Sequence, residues 1–330
     1  MEAKAELARL TDILLNEKAT YADIRTAAYA LKDLFSSAAG FQEQNRDHQQ
    51  HLKLPSGLAV SPYAAAYCII DMMRTRKFLM GIKEAIDERL KLNAGRPVMV
   101  LYAGCGPFAT LLTPLTTVFG PAQLQMVLLE INPLNMGYLQ KIVQHFDLKE
   151  YIAGTELADA TEYSIPEKFQ PNILLSETMK AALQKEPQVN IVTSLLPQCN
   201  NDPALIPQCI RVDFCKLGKW EDYQHTVHAI ATLLELNKET ILQIAGTKKG
   251  PAVFEEGLQV MVAQDNETTG PHFALATFIQ VYGNHTLTLQ ESDLTLLHRL
   301  KEKAENKNET WVFRYNRSDL PGFYIIRKEK

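Results

Sequence analysis

Apolar residues recur every three to four positions along the first forty residues, and this spacing predicts two amphipathic helices. The apolar faces consist of Ala3, Leu7, Leu10 and Leu14 in the first helix and Ile24, Ala28, Leu31 and Phe35 in the second. Thr20, with Asp23 three residues later, is typical of the N-cap of the second helix, and Gly40 is a typical stop. The polar residues 42–57 come next and predict a linker.

A different pattern begins after a long helical stretch over residues 64–92. Residues 98–104, 126–131 and 172–177 are short apolar runs without polar alternation, typical of strands that are buried on both faces of a parallel sheet. Helical stretches lie between these runs, including residues 134–146. The alternation of buried strands and helices predicts an α/β protein with a doubly wound, Rossmann-like core.

The pattern changes again after residue 202, where strand-like segments alternate with turn signals such as Gly283-Asn284 and Pro321-Gly322. Residues 222–236 are interpreted as one helix inserted among these strands. We therefore predict an N-terminal helical region over residues 1–60, a Rossmann-like domain over residues 61–201, and a mostly antiparallel, β-barrel-like domain over residues 202–330.

Charge and composition exclude several classes of function. The 330 residues carry 34 lysine plus arginine and 38 aspartate plus glutamate, a net charge of −4, so the chain lacks the basic surface of a general nucleic-acid binder. No apolar run reaches the roughly 18–20 residues of a membrane helix, and Glu2, Lys4 and Arg9 stand where a secretory signal would be apolar. Five cysteines without a CxxC pair indicate neither a disulfide framework nor a metal site, so we expect a cytoplasmic protein.

The ends of the first two buried strands carry the residues of a candidate cofactor site. Gly104 and Gly106 follow the first strand, where glycine lets the backbone approach a ligand closely. Glu130 ends the second strand, the position from which an acidic residue accepts hydrogen bonds from ribose hydroxyls. Together they predict a site for an adenosine-containing cofactor, with Asp159, before the third strand, near the adenine amino group.

The residues directly after the glycines distinguish between two types of cofactor. A dinucleotide site needs a helix N-terminus that faces the pyrophosphate, and Pro107 and Phe108 are bulky replacements within that pattern. S-adenosyl-L-methionine has no phosphate and needs only the turn, the ribose acid and an adenine acceptor. The sequence therefore favours S-adenosyl-L-methionine, and a nicotinamide dehydrogenase is the disfavoured alternative.

Two glutamates, Glu177 and Glu186, flank a loop at the carboxyl end of the third buried strand. This segment resembles the double-glutamate loop of the protein arginine methyltransferase family. The residues that match the family pattern in order and spacing are Ser176, Glu177, Met179, Leu183 and Glu186. Thr178 stands where the family usually has tryptophan. The resemblance implies a Rossmann-like core with a β-barrel, S-adenosylmethionine as the methyl donor, and methylation of arginine.

The chemistry of a guanidino group supports this pairing of glutamates. A guanidinium is planar and always charged, and its fork of N–H donors fits one carboxylate bidentately. A second carboxylate can localise the charge so that the nitrogen facing the donor methyl becomes more nucleophilic. Methyl transfer then depends mainly on positioning and electrostatics. Glu177 and Glu186 are therefore the candidate catalytic residues.

The helix before the first buried strand extends the resemblance. Asp71, Arg74 and Thr75 match an acidic residue and an Arg-Thr pair of the family. The resemblance implies that Arg74 holds the cofactor carboxylate. It also implies that Tyr67 or Met73 lines the methyl-donor pocket.

The resemblance covers residues 61–214, including the entry into the barrel, and beyond them it is only architectural. Tyr102 replaces an acidic residue before the glycines, and Phe108 replaces a later glycine. The tail lacks the Thr-His-Trp triplet that helps to hold the substrate arginine in the family, and the nearby histidines are expected to be ordinary side chains of the barrel and its loops. These are His272, His285 and His298. The barrel segment also looks too short for the family's dimerisation arm, so the N-terminal helices are expected to form a homodimer instead.

These features predict an S-adenosylmethionine-dependent N-methyltransferase that acts on a guanidino nitrogen. The missing triplet favours free L-arginine or a small arginine-containing metabolite as the acceptor. Three alternatives stay open: a protein or peptide arginine methyltransferase, a methyltransferase for another small amine, and a non-catalytic dimeric scaffold that binds the cofactor. None of these functions calls for nucleic acid, a membrane or a metal.

Overall fold

The computed structural model describes residues 2–42, 44–93, 95–221, 224–246, 250–262, 273–304 and 309–327. The helices are α1 (Glu2–Leu15), α2 (Tyr21–Ala39), α3 (Pro62–Tyr67), α4 (Met72–Leu92), α5 (Pro133–His145), α6 (Gln188–Leu195) and α7 (Lys238–Ala245). Within these described ranges, no helix is both long enough and apolar enough to cross a membrane. Across the same ranges, no three His, Cys, Asp or Glu side chains are grouped as a metal ion would require.

The strands belong to a short hairpin, a central sheet and two C-terminal sheets. The hairpin consists of β1 (Leu52–Leu54) and β2 (Gly57–Ala59). The central sheet consists of β3 (Val98–Ala103), β4 (Leu124–Glu130), β5 (Ile152–Leu157), β6 (Ile173–Ser176) and β7 (Ala204–Ile206). The C-terminal strands are β8 (Cys209–Glu221), β9 (Gln224–Asn237), β10 (Leu258–Val262), β11 (Phe273–Tyr282), β12 (His285–Leu287), β13 (His298–Arg299), β14 (Glu309–Asn316) and β15 (Gly322–Arg327).

The two predicted N-terminal helices are confirmed, and both pack against the central part of the chain. Thr20 and Asp23 form a capping box before α2, and Gly40 ends this helix in the left-handed conformation. The ring centroid of Phe35 in α2 lies 5.7 Å from that of Phe108, just after the glycine turn. The apolar faces of α1 and α2 therefore belong to one hydrophobic core with the central sheet.

The predicted linker over residues 42–57 contains ordered structure, because β1 and the start of β2 lie in it. The backbone N–H of Leu58 donates a hydrogen bond to the carbonyl of Lys185 at 2.7 Å, which fastens the hairpin to the loop after β6. Strands of three residues are too short to produce a recognisable alternation of apolar and polar positions. The predicted domain bounds at residues 60 and 201 stay predictions.

The central sheet has the order β5-β4-β3-β6-β7, and every pair in it is parallel. This arrangement confirms the α/β, Rossmann-like core, and the three predicted buried strands are β3, β4 and β6. From β3 the chain goes outward to β5 on one side and then returns to β6 on the other, so the topological switch lies between β3 and β6. Ala103 at the end of β3 is in register with Ser176 at the end of β6. The glycine turn and the double-glutamate loop therefore start side by side.

The C-terminal strands form two antiparallel sheets, β12-β11-β8-β9 with β13 beside β11, and β10-β14-β15. Aromatic rings from both sheets meet between them. The ring centroid of Phe214 lies 4.7 Å from that of Phe313, and the centroid of Phe273 lies 5.1 Å from that of Trp311. A helical N-terminal extension, a Rossmann-like core and a strand-rich second part are the predicted fold class, which is confirmed.

One prediction of secondary structure is wrong. Residues 222–236 do not form an inserted helix, because the chain from Gln224 to Asn237 is strand β9, paired with β8; residues 222 and 223 lie outside the described ranges. The register between these strands shifts at three places. Each shift interrupts the alternation of apolar and polar residues by which a strand is recognised. The helix begins only at Lys238, as α7.

Candidate active site

A cavity of about 580 Å³ opens at the carboxyl edge of the central sheet, where the turn after β3 meets the loop after β6. Its volume is typical of small-molecule sites. The predicted site residues that line it are Tyr67, Arg74, Gly104, Gly106, Glu130, Asp159, Glu177 and Glu186. Met73 does not reach the cavity, and its partly buried side chain packs against the hydrophobic core. The cavity thus joins residues from α3, α4 and the ends of four strands.

The turn after β3 has a backbone that glycine adopts readily. Gly104 and Gly106 have φ angles of 74° and 68°. The backbone N–H of Gly104 donates to the carbonyl of Leu129 at 2.8 Å, which holds the turn against the end of β4. A Cβ atom at Gly104 would collide with the methyl group of Thr178. The turn therefore touches the double-glutamate loop directly.

Glu130 is held by three backbone N–H groups, two next to it in the sequence and one from the turn after β3. One carboxylate oxygen accepts a hydrogen bond from Gly106 at 2.8 Å, and the other accepts from Ile131 at 3.0 Å and Asn132 at 2.8 Å. Burial raises the pKa of Glu130, and these hydrogen bonds oppose the rise because they favour the carboxylate. Sequence reasoning missed Asn135, which also lines the cavity and whose buried Oδ1 has no hydrogen-bond partner within the described ranges. Both side chains suit hydroxyl donors.

Asp159 follows β5 and lines the cavity at the same sheet edge. Its Oδ1 accepts hydrogen bonds from the backbone N–H and the hydroxyl of Thr161, at 2.8 and 2.7 Å, which fixes the turn. The backbone N–H of Ala158 donates to the carbonyl of Glu130 at 3.0 Å, so Asp159 lies just beyond the pairing of β5 with β4. The structure therefore brings Glu130 and Asp159 to adjacent strand ends.

Arg74 lies in the first turn of α4, whose N-cap is Asp71. Its guanidinium forms an ion pair with the carboxylate of Glu177, and the two side chains are only 13% and 1% exposed. The pKa of Arg74 is raised: burial alone would lower it, but its neighbours, Cys68, Asp71 and Tyr102, together favour the charged form more strongly. The Glu177 carboxylate therefore faces a guanidinium of the chain itself in this cavity.

Glu186 is as buried as Glu177, each with 7% of its surface exposed. Burial raises the pKa of Glu186 to about 7, and the positive charges of Lys180 and Arg74 limit this rise. A carboxyl group that titrates near neutral pH, in a cavity beside a paired carboxylate, is typical of a functional site. We call the part of the cavity formed by residues 177–187 the double-glutamate end. The part formed by the two glycines, Glu130, Asn135 and Asp159 is the glycine-turn end.

The backbone between the two glutamates is strained. Ala182, Leu183 and Lys185 have φ angles of 58°, 53° and 65°, in the left-handed region that costs a non-glycine residue about 1–2 kcal/mol. Two buried side chains of the C-terminal sheets hold it. The hydroxyl of Thr277 accepts from the N–H of Ala182, and the hydroxyl of Tyr315 donates to the carbonyl of Leu183, both at 2.7 Å. Strain that the surroundings maintain is typical of functional loops.

His298 departs from the expectation of an ordinary histidine, because it lines the cavity. Its position depends on the pairing of β13 with β11, which no local sequence pattern indicates. Burial lowers its pKa. His285 instead pairs with Glu84 of α4 at 2.9 Å, away from the cavity, and His272 lies outside the described ranges.

The loop before β13 is fastened to the start of α4. The Asp71 carboxylate accepts hydrogen bonds from the hydroxyl of Ser292 at 2.6 Å and from the backbone N–H of Asp293 at 2.9 Å. Asp293 lines the cavity from this loop, and Lys180 lines it from the double-glutamate loop. Sequence reasoning missed both residues. Further charges of both signs therefore line the cavity in addition to the two glutamates.

No protein-family model and no curated protein matches this chain. Solved structures do. A chain of the Trypanosoma brucei PRMT1 enzyme–prozyme heterotetrameric complex with AdoHcy matches with a TM-score of 0.52 at 12% identity, over 79% of this chain and 96% of that chain. Protein arginine methyltransferase 10 of Arabidopsis thaliana, in an open conformation, matches with a TM-score of 0.53 at 11% identity, over 79% of this chain and 95% of that chain. The chain therefore has the fold of the protein arginine methyltransferases, as its resemblance to that family predicts.

Proposed function

We propose that this protein is an S-adenosylmethionine-dependent methyltransferase that transfers a methyl group to a guanidino nitrogen. The observation that carries the proposal is the pair Glu177 and Glu186. Both are buried beside the switch point of a Rossmann-like sheet, one paired with a guanidinium and the other with a pKa of about 7. The two solved proteins of the same fold are named arginine methyltransferases, one in complex with AdoHcy, which supports the proposal.

The glycine-turn end suits the cofactor. The residues that would hold it are Gly104 and Gly106 at the turn, Glu130 and Asn135 at the ribose, Asp159 at the adenine, and Arg74 and Tyr67 at the methionine part. The Oδ1 atom of Asn135 is the strongest sign, because a buried acceptor without a donor costs about 1–3 kcal/mol, which a ligand hydroxyl would remove. When bound, S-adenosylmethionine supplies an electrophilic methyl group on a sulfonium.

The double-glutamate end suits the guanidino acceptor. Two carboxylates orient a guanidinium through charge-assisted hydrogen bonds, which are stronger where water is excluded. The attacking nitrogen forms a bond to the methyl carbon while the sulfur–carbon bond breaks, and the nitrogen then loses one proton. The products are a methylguanidinium, AdoHcy and that proton. Glu186, with a pKa of about 7, can accept the proton and release it to water at neutral pH.

The acceptor that we propose is small: free L-arginine or a small arginine-containing metabolite. The cavity wall also carries Lys180 and His298, which suit a carboxylate, and Asp293, which suits an ammonium group. Lys180 lies close enough to act electrostatically on Glu186. The hairpin of β1 and β2 also contributes to the lining of the cavity, through Leu58. An arginine inside a polypeptide has neither of the free charges that this wall would recognise.

One assay tests both parts of the proposal. The protein is incubated with methyl-labelled S-adenosylmethionine and with L-arginine, agmatine (which lacks the carboxylate) or an arginine-rich peptide. We expect label in L-arginine, at least about tenfold less in agmatine, and least in the peptide. Glu177→Gln is expected to lower the rate by about 100- to 1000-fold, the size of effect typical for loss of one stabilising group at a reacting centre. Glu167→Gln, at an exposed position, is the matched control and keeps the wild-type rate.

The outcomes distinguish the alternatives. Label in none of the three guanidines contradicts guanidino methylation; it favours another amine as the acceptor or, if calorimetry still detects cofactor binding, a scaffold. Label in the peptide alone contradicts the small acceptor and keeps arginine methylation. Binding of NAD without binding of S-adenosylmethionine would favour the dehydrogenase.

The homodimer and the cytoplasmic location stay predictions. The apolar faces of α1 and α2 pack on their own chain, with Leu14 and Phe35 fully buried. A second copy would therefore contact the opposite face of α2, where Tyr29 is exposed. Sedimentation velocity at micromolar concentration measures the oligomeric state, and Tyr29→Glu is expected to shift a dimer toward monomer. A monomer at every concentration would contradict the predicted homodimer.

A further inference from the structure

Gln188 is a buried polar residue that the proposed chemistry does not use. It is the first residue of α6, two positions after Glu186, and 1% of its surface is exposed. Its Nε2 donates to the carbonyl of Ser176 at 3.0 Å, and its Oε1 accepts from the backbone N–H and the hydroxyl of Thr178, each at 2.9 Å. One side-chain amide therefore bonds to the residues on both sides of Glu177.

These contacts require an amide in one orientation. The nitrogen has to face the carbonyl of Ser176 and the oxygen has to face the N–H of Thr178. In the reverse orientation the amide oxygen would face a carbonyl oxygen, and the amide nitrogen would face another N–H donor. An apolar residue would leave both backbone groups buried without partners, at about 1–3 kcal/mol each. A glutamate carboxylate would keep the acceptor but lose the donor. Gln188 is thus matched to the backbone around Glu177.

The amide also joins the two segments that carry the glutamates. Glu177 follows β6 directly, and Glu186 precedes α6 by one proline. Between them the chain passes through the strained backbone of residues 182, 183 and 185. Thr277 and Tyr315 tie the middle of this loop to the C-terminal sheets, whereas Gln188 ties its two ends to each other. The relative placement of the two carboxylates therefore depends on this amide.

We propose that Gln188 is a positioning residue that sets the relative placement of the Glu177 and Glu186 carboxylates. This inference rests on the proposed guanidino methylation. Gln188 is not among the residues that line the cavity, so it acts through the loop backbone and not by contact with the acceptor. A misplacement of about 1 Å can cost about 100-fold in rate. Loss of the amide should therefore weaken the acceptor steps and spare cofactor binding.

The chain contains a matched control for this set of hydrogen bonds around a glutamine amide. Gln198 has a similar arrangement: its Oε1 accepts from the N–H of Ile165 at 2.9 Å, and its Nε2 donates to the carbonyls of Tyr163 and Ser194 at 3.0 and 2.9 Å. None of these four residues lines the cavity. Gln198→Glu therefore reports how the loss of such amide hydrogen bonds affects stability alone.

The test compares Gln188→Glu, Gln188→Leu and Gln198→Glu in the full chain. Cofactor affinity is measured by calorimetry, and steady-state kinetics are measured with the best guanidino acceptor between pH 6 and 8.5. We expect both Gln188 variants to lose about 10- to 100-fold in kcat/KM for the acceptor, with a cofactor Kd within threefold of wild type. Gln198→Glu is expected to keep wild-type kinetics.

The pH profile provides a readout that a merely structural role would not change. As the pH falls, the glutamate of Gln188→Glu becomes protonated and regains a donor for the carbonyl of Ser176. Its activity relative to wild type at the same pH should therefore rise, and that of Gln188→Leu should not. If Gln188→Leu does not fold, Gln188→Glu alone still decides the question.

Three results would overturn the inference. The first two are wild-type kcat/KM in Gln188→Glu and an equal loss in Gln198→Glu. A flat ratio of Gln188→Glu to wild type across the pH range would do the same. Failure of the proposed function is a separate result, because wild-type protein would then methylate no guanidine at all.

Discussion

The two ends of the cavity are built in different ways. At the glycine-turn end, Glu130 is bonded by backbone N–H groups of residues 106, 131 and 132, which lie directly after the adjacent strands β3 and β4. At the double-glutamate end, the loop is held by the side chains of Gln188, Thr277 and Tyr315. The first end depends on local backbone geometry, and the second depends on contacts that reach across the chain.

This difference shows where specificity can change. Backbone donors are present in any sequence that folds into the same unit, so the glycine-turn end can stay constant while the acceptor changes. Side-chain contacts depend on the particular sequence, and two residues at the double-glutamate end are particular to this chain. Thr178 replaces the tryptophan of the resembling family, and His298 lies in the cavity wall. The contact between Thr178 and Gly104 is where the two ends meet.

The largest effect is expected from a substitution that alters the glycine-turn end alone. In Glu130→Gln, an amide nitrogen would face a backbone N–H, because an amide has one acceptor oxygen where the carboxylate has two. We expect the Kd for S-adenosylmethionine to rise about 30- to 100-fold and the free energy of unfolding to fall by about 2–3 kcal/mol. Calorimetry and chemical denaturation measure the two quantities. Unchanged cofactor affinity would mean that Glu130 serves the turn and not the ribose.

The next prediction tests the contact between the two ends. Gly104→Ala is expected to lower the free energy of unfolding by about 2 kcal/mol, since φ is 74° and the new methyl group meets Thr178. The hydrogen bond from the Thr178 hydroxyl to Gln188 fixes the direction of its methyl group. In a Thr178→Ser background, which lacks that methyl group, the same change should cost about 1 kcal/mol less. Strict additivity in chemical denaturation would contradict the contact.

The third prediction concerns the pH dependence of the double-glutamate end. The pKa of Glu186 is about 7, against 4.5 for an ordinary glutamate, so between these values the folded protein binds more protons than the unfolded chain. The free energy of unfolding should therefore fall as the pH rises from about 4.5 to about 7. Glu186→Gln removes this loss, and we expect it to be about 2 kcal/mol more stable than wild type at pH 8, though inactive. The difference should vanish near pH 4, and Glu167→Gln should show none at any pH.

The smallest effect is expected from the loss of one hydrogen bond between residues far apart in the sequence. Tyr315→Phe removes the hydroxyl that donates to the carbonyl of Leu183, so the free energy of unfolding should fall by about 1 kcal/mol. We expect a rise of a few-fold in KM for the acceptor, without change in cofactor affinity. Tyr324→Phe, at an exposed tyrosine, is the control. A change in cofactor affinity alone would contradict the separation of the two ends.

The glycine-turn end could be predicted from the sequence because its parts are local. A buried strand, its glycines and the acid that ends the next strand lie within about thirty residues, and the parallel sheet brings the strand ends together. The spacing of Glu177 and Glu186 also predicted their common loop. Met73 does not reach the cavity, although Arg74 does, because adjacent residues of a helix point about 100° apart.

The side-chain contacts that hold the double-glutamate end could not be predicted from the sequence. His298 and Thr277 reach the site through the register of antiparallel strands, which depends on pairing across the sheet and not on local spacing. Gln188 has no signature in the sequence, because a glutamine at the start of a helix is common at exposed positions as well. The register shifts between β8 and β9 are a further example, because they interrupt the period-two pattern by which β9 would be recognised.

The ion pair between Arg74 and Glu177 has a kinetic consequence for the proposed reaction. In the proposed arrangement, the carboxylate that would receive the acceptor guanidinium is paired with a guanidinium of the protein. An acceptor that arrives first must compete with a tethered group whose effective concentration is high. In the proposed site, a cofactor that arrives first would offer its own carboxylate to Arg74 and leave Glu177 for the acceptor. If the proposed roles of Arg74 and Glu177 hold, we expect an ordered mechanism in which the methyl donor binds before the guanidino acceptor.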